Sequence, residues 1–428
     1  MGTQASSSSG AAVSSRGELF AASCLALVVS AIAFGIRGDT LGDFMKQFNA
    51  TPDAIGWAIV GAFWGFTIAI AFSGIVCDWL GMKALLVFAF ILHMLGIAGT
   101  VFATSINMLA IGTLMIGLGN GFVEGAINPL IATLYPDNKT AKLNALHAWW
   151  PGGIVIGAVL GFVMSQFGAS WQLKTGVLFI PTLIYGFMFV GLKLPPTERV
   201  QSGVSTGSMF KEAIRPLFLI WIVCMLLTAS TELGTNQWIG EMMKMSGIKS
   251  GILLLAWGSF VMLIGRSFAG PVVHKLSPTG LLAGSAIIST IGLYGLSMAN
   301  SPATAFIAAT VFSAGICYFW PTMLGFTSER FPKGGALLMG LMGAAGMASA
   351  GLSQPIFGGW LADYGVAGAL RHATVLPAIL IVIFGAFYLK DLAKGGYKAV
   401  KLAGDQVDVP TTPPASVEAA VEEAEKTK

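Results

Sequence analysis

Glu124 sits in the segment GNGFVEGAINP (residues 119–129), in the middle of an otherwise apolar stretch running from Met108 to Leu134. Asn120, Glu124 and Asn128 recur every four residues, so on a helix all three fall within an arc of about 80°. A charged side chain at the centre of a bilayer costs at least about 2.5 kcal/mol on insertion scales. Glu124 should therefore line water or carry a proton part of the time, and either case makes it a candidate proton-exchange group. The competing reading is a permanently neutral glutamate that ties two helices together. A second cluster, TASTELGTNQWIG, repeats the four-residue spacing with Glu232 and Asn236 and adds Gln237 and Trp238 on adjoining faces.

The elements that must position these groups are long and apolar. Of 428 residues, 55% are hydrophobic and only 10% charged, with mean hydropathy +0.77, whereas soluble domains carry about 25% charged residues. Apolar runs recur, each long enough to cross a hydrocarbon core of about 30 Å. The expected spans are 19–37, 54–77, 83–103, 106–134, 145–167, 172–192, 214–238, 250–272, 279–299, 303–325, 335–360 and 370–390. The fold class is an all-α polytopic membrane protein with twelve transmembrane helices. Cys24, Cys77, Cys224 and Cys317 are scattered without metal-ligand spacing or pairing and read as structural. No metal or other cofactor is expected.

With the N-terminus inside, Lys and Arg divide as 18 on the inner side against 6 outside, which places both termini in the cytoplasm. The connection at 193–213 separates residues 19–192 from 214–390, two bundles of six helices, and is expected to be a cytoplasmic linker. Tails 1–18 and 391–428 are polar or rich in Pro, Ala and acid, and disorder is expected for them. The halves echo each other as parallel repeats do. GIVCDWLGMK after span two is matched by GPVVHKL after span eight, and spans four and ten carry mid-helix prolines, Pro129 and Pro321. Both helices should bend around a central cavity.

The G-x-x-x-D-x-x-G-x-K loop (Gly74, Asp78, Gly81, Lys83), the twelve spans and the 6+6 repeat resemble the major facilitator superfamily over essentially the whole chain except its tails. Within it, E-x-x-x-N-P at Glu124, Asn128 and Pro129, followed by LYPDNKTAKLN, is similar to the fucose/galactose/glucose–proton symporter family. That resemblance implies a major-facilitator fold, a site for a neutral monosaccharide between the halves, proton coupling and alternating access. It also implies a second carboxylate near the end of span one, where Asp39 is the match, although its spacing to Phe48 is one residue short of the family pattern. Arg37 could pair with Asp39 or with Glu124, or both could simply mark the water interface.

His147, in LNALHAWWPGG, stands where the family tends to have a sugar-contacting glutamine; it could contact a hydroxyl or join the proton path. Trp149 and Trp150 follow, and an indole face suits the C–H face of a sugar while its N–H still donates. Packing or an interfacial belt is the bland alternative. Asn120, Asn128, Glu232, Asn236, Gln237 and Trp238 supply donors and acceptors for hydroxyls, with helix packing as the competing account. In CYFWPTM, Tyr318 and Trp320 are further candidate sugar contacts. Asp78, Lys83 and Arg266, placed near the inner end of span eight, are expected to gate the cytoplasmic side.

The expected function is proton-coupled import of a neutral monosaccharide by a monomer in a cell inner membrane; a uniporter, or an exporter of another small polar solute, is the alternative. Multiply anionic substrates normally demand several inward-facing cations, which the spans lack. A membrane enzyme is disfavoured, since four scattered histidines include no H-E-x-x-H. A sensor would need a larger soluble region than the C-terminal tail provides. The expected partners are sugar, protons and the lipid bilayer, with no nucleic acid.

Overall fold

The computed structural model describes residues 13–50, 52–245 and 251–402. The first half comprises α1 (Arg16–Gln47), α2 (Pro52–Leu80), α3 (Met82–Val101), α4 (Ile106–Leu134), α5 (Lys139–Gln166) and α6 (Trp171–Gly191). In the second half, α7 starts as Pro216–Ala229, passes through a π-helical turn at Ser230–Gly234 and continues as Thr235–Met245. It is followed by α8 (Gly251–Ser267), α9 (Ala269–Ser297), whose helical path breaks at Ser277 (φ 63°), and α10 (Pro302–Arg330). The last helix, Gly335–Ala393, breaks at Gly365, whose φ of 64° suits a residue without a Cβ. Its two arms, α11 and α12, complete the twelve spans.

Local chemistry sets the ends. Ser15 accepts from the Glu18 backbone N–H while Glu18 reaches back to the Ser15 backbone, a capping box that starts α1. Ser105 caps α4 through the Met108 amide at 3.2 Å. Side chains on the outside are apolar, with Phe187 71% and Val382 73% exposed, as a lipid solvent requires. The four cysteines are free and buried.

Within the first half α4 packs on α2 and α3, and α1 packs on α5; in the second, α9 lies on α10 and α12. The halves meet along α2 with α11 and along α5 with α8 and α10. Gly74 and Gly340 let α2 and α11 touch backbone to backbone: a Cβ added at Gly340 would lie 2.7 Å from the Ile70 carbonyl oxygen.

Several boundaries differ from expectation. The first helix begins at Arg16 rather than residue 19 because of its cap, and runs on to Gln47, ten residues past the expected end. The connection at 193–213 carries short helices at Glu198–Gln201 and Thr206–Ala213. The last helix ends at Ala393, and Lys394–Leu402 packs back on the protein, so order extends beyond residue 391. Residues 1–12 and 403–428, also expected to be disordered, lie outside the described residues. The Ser14 amide bonds the Lys193 carbonyl at 3.1 Å and the Val400 amide the Glu329 carbonyl at 2.8 Å, so residues 14 and 400 both sit on the linker face.

Candidate functional site

A chamber lies between the halves. Its inner part, a cavity of about 20 Å³ with room for little more than one water, is lined by Glu124, His147, Trp150, Glu232, Leu233, Arg266, Trp320 and Met347. It adjoins a wider space of about 180 Å³, walled by α1, α2, α5, α7, α8 and α11. Trp150, Glu232, Leu233 and Met347 line both. Asn236 and Gln237 line the outer part, away from the linker. Aromatic rings form one wall: Phe34 meets Phe63 at 5.6 Å and Trp150 at 5.2 Å between centroids.

Hydrogen bonds join the polar groups across the halves. The Asn128 amide donates to Glu124 at 3.3 Å, and its carbonyl oxygen faces His147 Nε2 at 2.9 Å. Arg266 donates to the His147 backbone carbonyl at 3.1 Å, to the Cys317 carbonyl at 2.5 Å and to the Glu232 carboxylate at 2.8 Å. Glu124, Glu232 and Arg266 are only 2%, 3% and 1% exposed. The π-helical turn that carries Glu232 inserts an extra residue into the helical period, and such turns are common at functional sites. Trp320 sits beside Glu124 in the chamber wall. Its indole N–H lies near that carboxylate without completing a well-formed hydrogen bond, which leaves a donor that a ligand or a small shift could engage.

The linker face is closed. Lys139 is paired with Glu198 at 2.6 Å and Arg199 with Asp78 at 2.6 Å, so the linker is bolted to the first half. Thr140 donates its amide and hydroxyl to Glu329 at 3.0 and 2.7 Å, and Asn144 reaches Thr322 at 3.1 Å, which ties α5 to α10. Tyr397 donates to the other Glu329 oxygen at 2.7 Å, Arg330 lies over the Tyr397 ring at 4.4 Å, and Lys401 pairs with Asp137 at 2.6 Å. The C-terminal segment is therefore a strap across both halves. Lys401 holds the Asp137 carboxyl below its usual range, and burial followed by the Glu329 charge pushes the Tyr397 phenol well above its own.

Of the residues singled out from the sequence, Glu124, His147, Trp150, Glu232, Asn236, Gln237 and Trp320 line the chamber, and Asn128 connects two of them. The others lie elsewhere. Asn120 Oδ1 accepts from His93 Nε2 at 2.9 Å, and His93 Nδ1 meets the Tyr185 hydroxyl at 2.8 Å, all packed inside the first half. Trp149 is 43% exposed on the outer surface. Trp238 packs toward Gly358, and Tyr318 donates to the Gly265 carbonyl at 2.9 Å. Asp39 is held outside the chamber by Lys174 at 2.8 Å and Ser165 at 3.1 Å, because α1 continues past it. Arg37 pairs with neither proposed acid there and lies over the Phe34 ring at 5.0 Å.

The gate residues also divide. Asp78 does hold the linker face, but its partners are Arg199 and Thr197 of the linker. Lys83 instead caps the end of α6 through the Val190 and Leu192 carbonyls at 2.8 and 3.0 Å, where a cation offsets the helix dipole. Arg266 is no inner-end gate: it is fully buried in the chamber. Reading from sequence overlooked Lys139, Glu198, Arg199 and Glu329. The charged run K-T-A-K and the pair E-R-F-P were visible, but their partners lie 59 to 189 residues away.

The family model for the Major Facilitator Superfamily matches residues 19–336. The chain belongs to the Major Facilitator Superfamily. Members of this superfamily are transporters, and the chain is a multi-pass membrane transporter rather than an enzyme. The structure of the proton:xylose symporter XylE bound to 6-bromo-6-deoxy-D-glucose superposes with a TM-score of 0.77 at 16% identity, covering 87% of this chain and 95% of that one. A structure of the E. coli fucose:proton symporter FucP gives a TM-score of 0.72 at 18% identity, covering 86% of this chain and 98% of that one. At these identities the likeness establishes the major-facilitator fold. Monosaccharide-sensing protein 2 of Arabidopsis thaliana is 32% identical over 170 residues, 39% of this chain but only 23% of that protein.

Proposed function

We propose that the chain imports a neutral monosaccharide together with protons, by alternating access, across a bacterial-type inner membrane with both termini cytoplasmic. The observation that carries this reading is Glu124: a nearly fully buried carboxylate on the wall of a chamber between the halves, hydrogen-bonded to Asn128 and next to the indole of Trp320. A side chain there can take a proton from one face and release it to the other as the chamber's exposure alternates.

The lining suits a neutral polyol. Arg266 is already engaged by Glu232 and two carbonyls, so the chamber offers no idle cation to an anionic ligand. Trp150 and Trp320 supply flat apolar faces, and Asn236, Gln237 and His147 supply donors and acceptors. The closed linker face and wider opposite end fit the state that loads substrate from outside. The excess of Lys and Arg on the linker side fits its placement in the cytoplasm. The names of the related proteins, two sugar–proton symporters and a monosaccharide-sensing protein, agree in substrate class.

Purified protein in liposomes tests this with a panel of labelled neutral sugars, with and without an inward proton gradient. Gradient-driven accumulation is expected, and Glu124→Gln should abolish it while sparing exchange. Uphill uptake undiminished in that variant defeats the role given to Glu124. Equilibration that ignores the gradient identifies a uniporter instead.

A further inference from the structure

Resemblance alone puts the second carboxylate at Asp39, in the same half as Glu124. The structure removes Asp39 from the chamber and brings in another: Glu232, from the opposite half. Glu124 and Glu232 line one inner cavity of about 20 Å³ with a single guanidinium, Arg266. With both acids ionised that enclosure carries one uncompensated negative charge, which a water-poor interior penalises severely. Neutrality requires one proton on the pair.

The other titratable groups packed around it do not supply the balance. His147 of α5 is committed through Nε2 to Asn128, Cys317 of α10 faces the Met262 carbonyl, and Tyr318 donates to Gly265. On α1, Arg37 is stacked on Phe34 and Asp39 is paired with Lys174. The two carboxylates are linked by one run of contacts, Glu124 to Asn128 to His147 to Arg266 to Glu232, which crosses from α4 through α5 and α8 to α7.

Building on the proton-coupled reading, we propose that the transported proton belongs jointly to Glu124 and Glu232, one carboxylate from each half, with Arg266 neutralising the ionised member. Loading forms one O–H bond on a carboxylate oxygen at the expense of a hydronium in the mouth; release returns it to water, and no other bond changes. Glu232 is thus a coupling residue rather than only a sugar contact. Arg266 is a positioning residue that ties the charge state of one half to a backbone carbonyl of the other. Removing either acid leaves a carboxylate and a guanidinium that balance each other, and the exchangeable proton is gone.

The test uses full-length carrier in liposomes with labelled D-xylose, L-fucose and D-glucose, driven by an imposed proton gradient, with labelled-sugar counterflow as the check that each variant folds. Glu232→Gln should lose accumulation above the outside concentration as completely as Glu124→Gln does. Glu232→Asp should retain accumulation with a displaced pH profile, and Asp39→Asn should retain it with the wild-type profile. Glu232→Gln that still accumulates sugar like wild type overturns the shared site while leaving Glu124-based symport intact. Wild-type protein showing counterflow but no response to the gradient defeats the symport reading itself, and the shared site with it. If Glu232→Gln shows no counterflow, Glu232→Asp decides: an undisplaced pH profile overturns the proposal.

Discussion

Gly74 of α2 and Gly340 of α11 lie against each other with no side chain between them, and an added Cβ at Gly340 would sit 2.8 Å from the Gly74 Cα. This close approach helps seal the linker face beneath the chamber. A methyl group at Gly340 meets backbone on the opposing helix, which cannot rotate away as a side chain would. Gly340→Ala should therefore weaken the closed linker face by about 1–3 kcal/mol and populate the state open to that side. Labelling of a cysteine placed at Ser328, now 7% exposed, should speed up in that background; unchanged labelling would show that the contact does not hold the face shut.

Asp78 and Arg199 form an ion pair between α2 and the linker, with both side chains almost wholly buried. Asp78→Asn leaves Arg199 with its Val204 carbonyl bond but without its counter-ion. Breaking one side of a buried pair costs about 3 kcal/mol, enough to move a two-state equilibrium about a hundredfold. Neither group touches the chamber, so kcat for sugar uptake should fall while KM stays within about twofold. A large KM change with normal kcat would contradict the assignment.

Asn120 holds His93 in dry packing, and its own Nδ2 atom is buried without a partner. Asn120→Ala strands the histidine nitrogen, at a cost of about 1–3 kcal/mol. The variant should unfold at lower temperature in detergent yet keep the wild-type KM for sugar. A raised KM with unaltered thermal stability would return Asn120 to the substrate site.

The strap has a pH signature. Asp137 titrates below its ordinary value of 3.8 because of Lys401, so their contact contributes above that value and fades as pH falls through the lowered one. Tyr397 is shifted the other way: its neutral phenol donates to Glu329 throughout the range below pH 10 and fails only above its raised value. Protection of the Val400 amide from hydrogen exchange, corrected for intrinsic rate, should be flat between about pH 5 and about pH 9. It should drop on stronger acidification, and Asp137→Asn should lower the neutral-pH plateau and flatten the acid limb. A slope centred near neutrality would rule out this arrangement.

The spans were legible because twenty-residue apolar runs have few other uses, and Glu124 because a carboxylate inside one stands out. The same reading misjudged Arg266. It does stand in the last turn of a helix, beside Ser267, but its side chain turns into the chamber, and nothing local announces Glu232, 34 residues earlier, as its counter-ion. Asn120 failed for a geometric reason: an arc of about 80° is wide enough for one end of a stripe to face α3 while its middle faces the chamber. Asp39 failed because α1 runs on to Gln47, and at that level the side chain faces Lys174 and Ser165, distant in sequence, rather than the chamber. The seal of the linker face was invisible because each bond joins residues from distant parts of the chain, and no local pattern encodes a partner.

The extra residue in the middle of α7 is absorbed where it stands, because a π turn closes on i→i+5 and the helix on either side keeps the register of an uninterrupted span one residue shorter. Deleting one residue between Ser230 and Gly234 would restore an ordinary helix and leave Asn236 and Gln237 on the wall they now share with Trp150. What would change is the local path that carries Glu232 to Arg266. Chain length at this turn therefore acts on the inner carboxylate and spares the polarity of the outer vestibule.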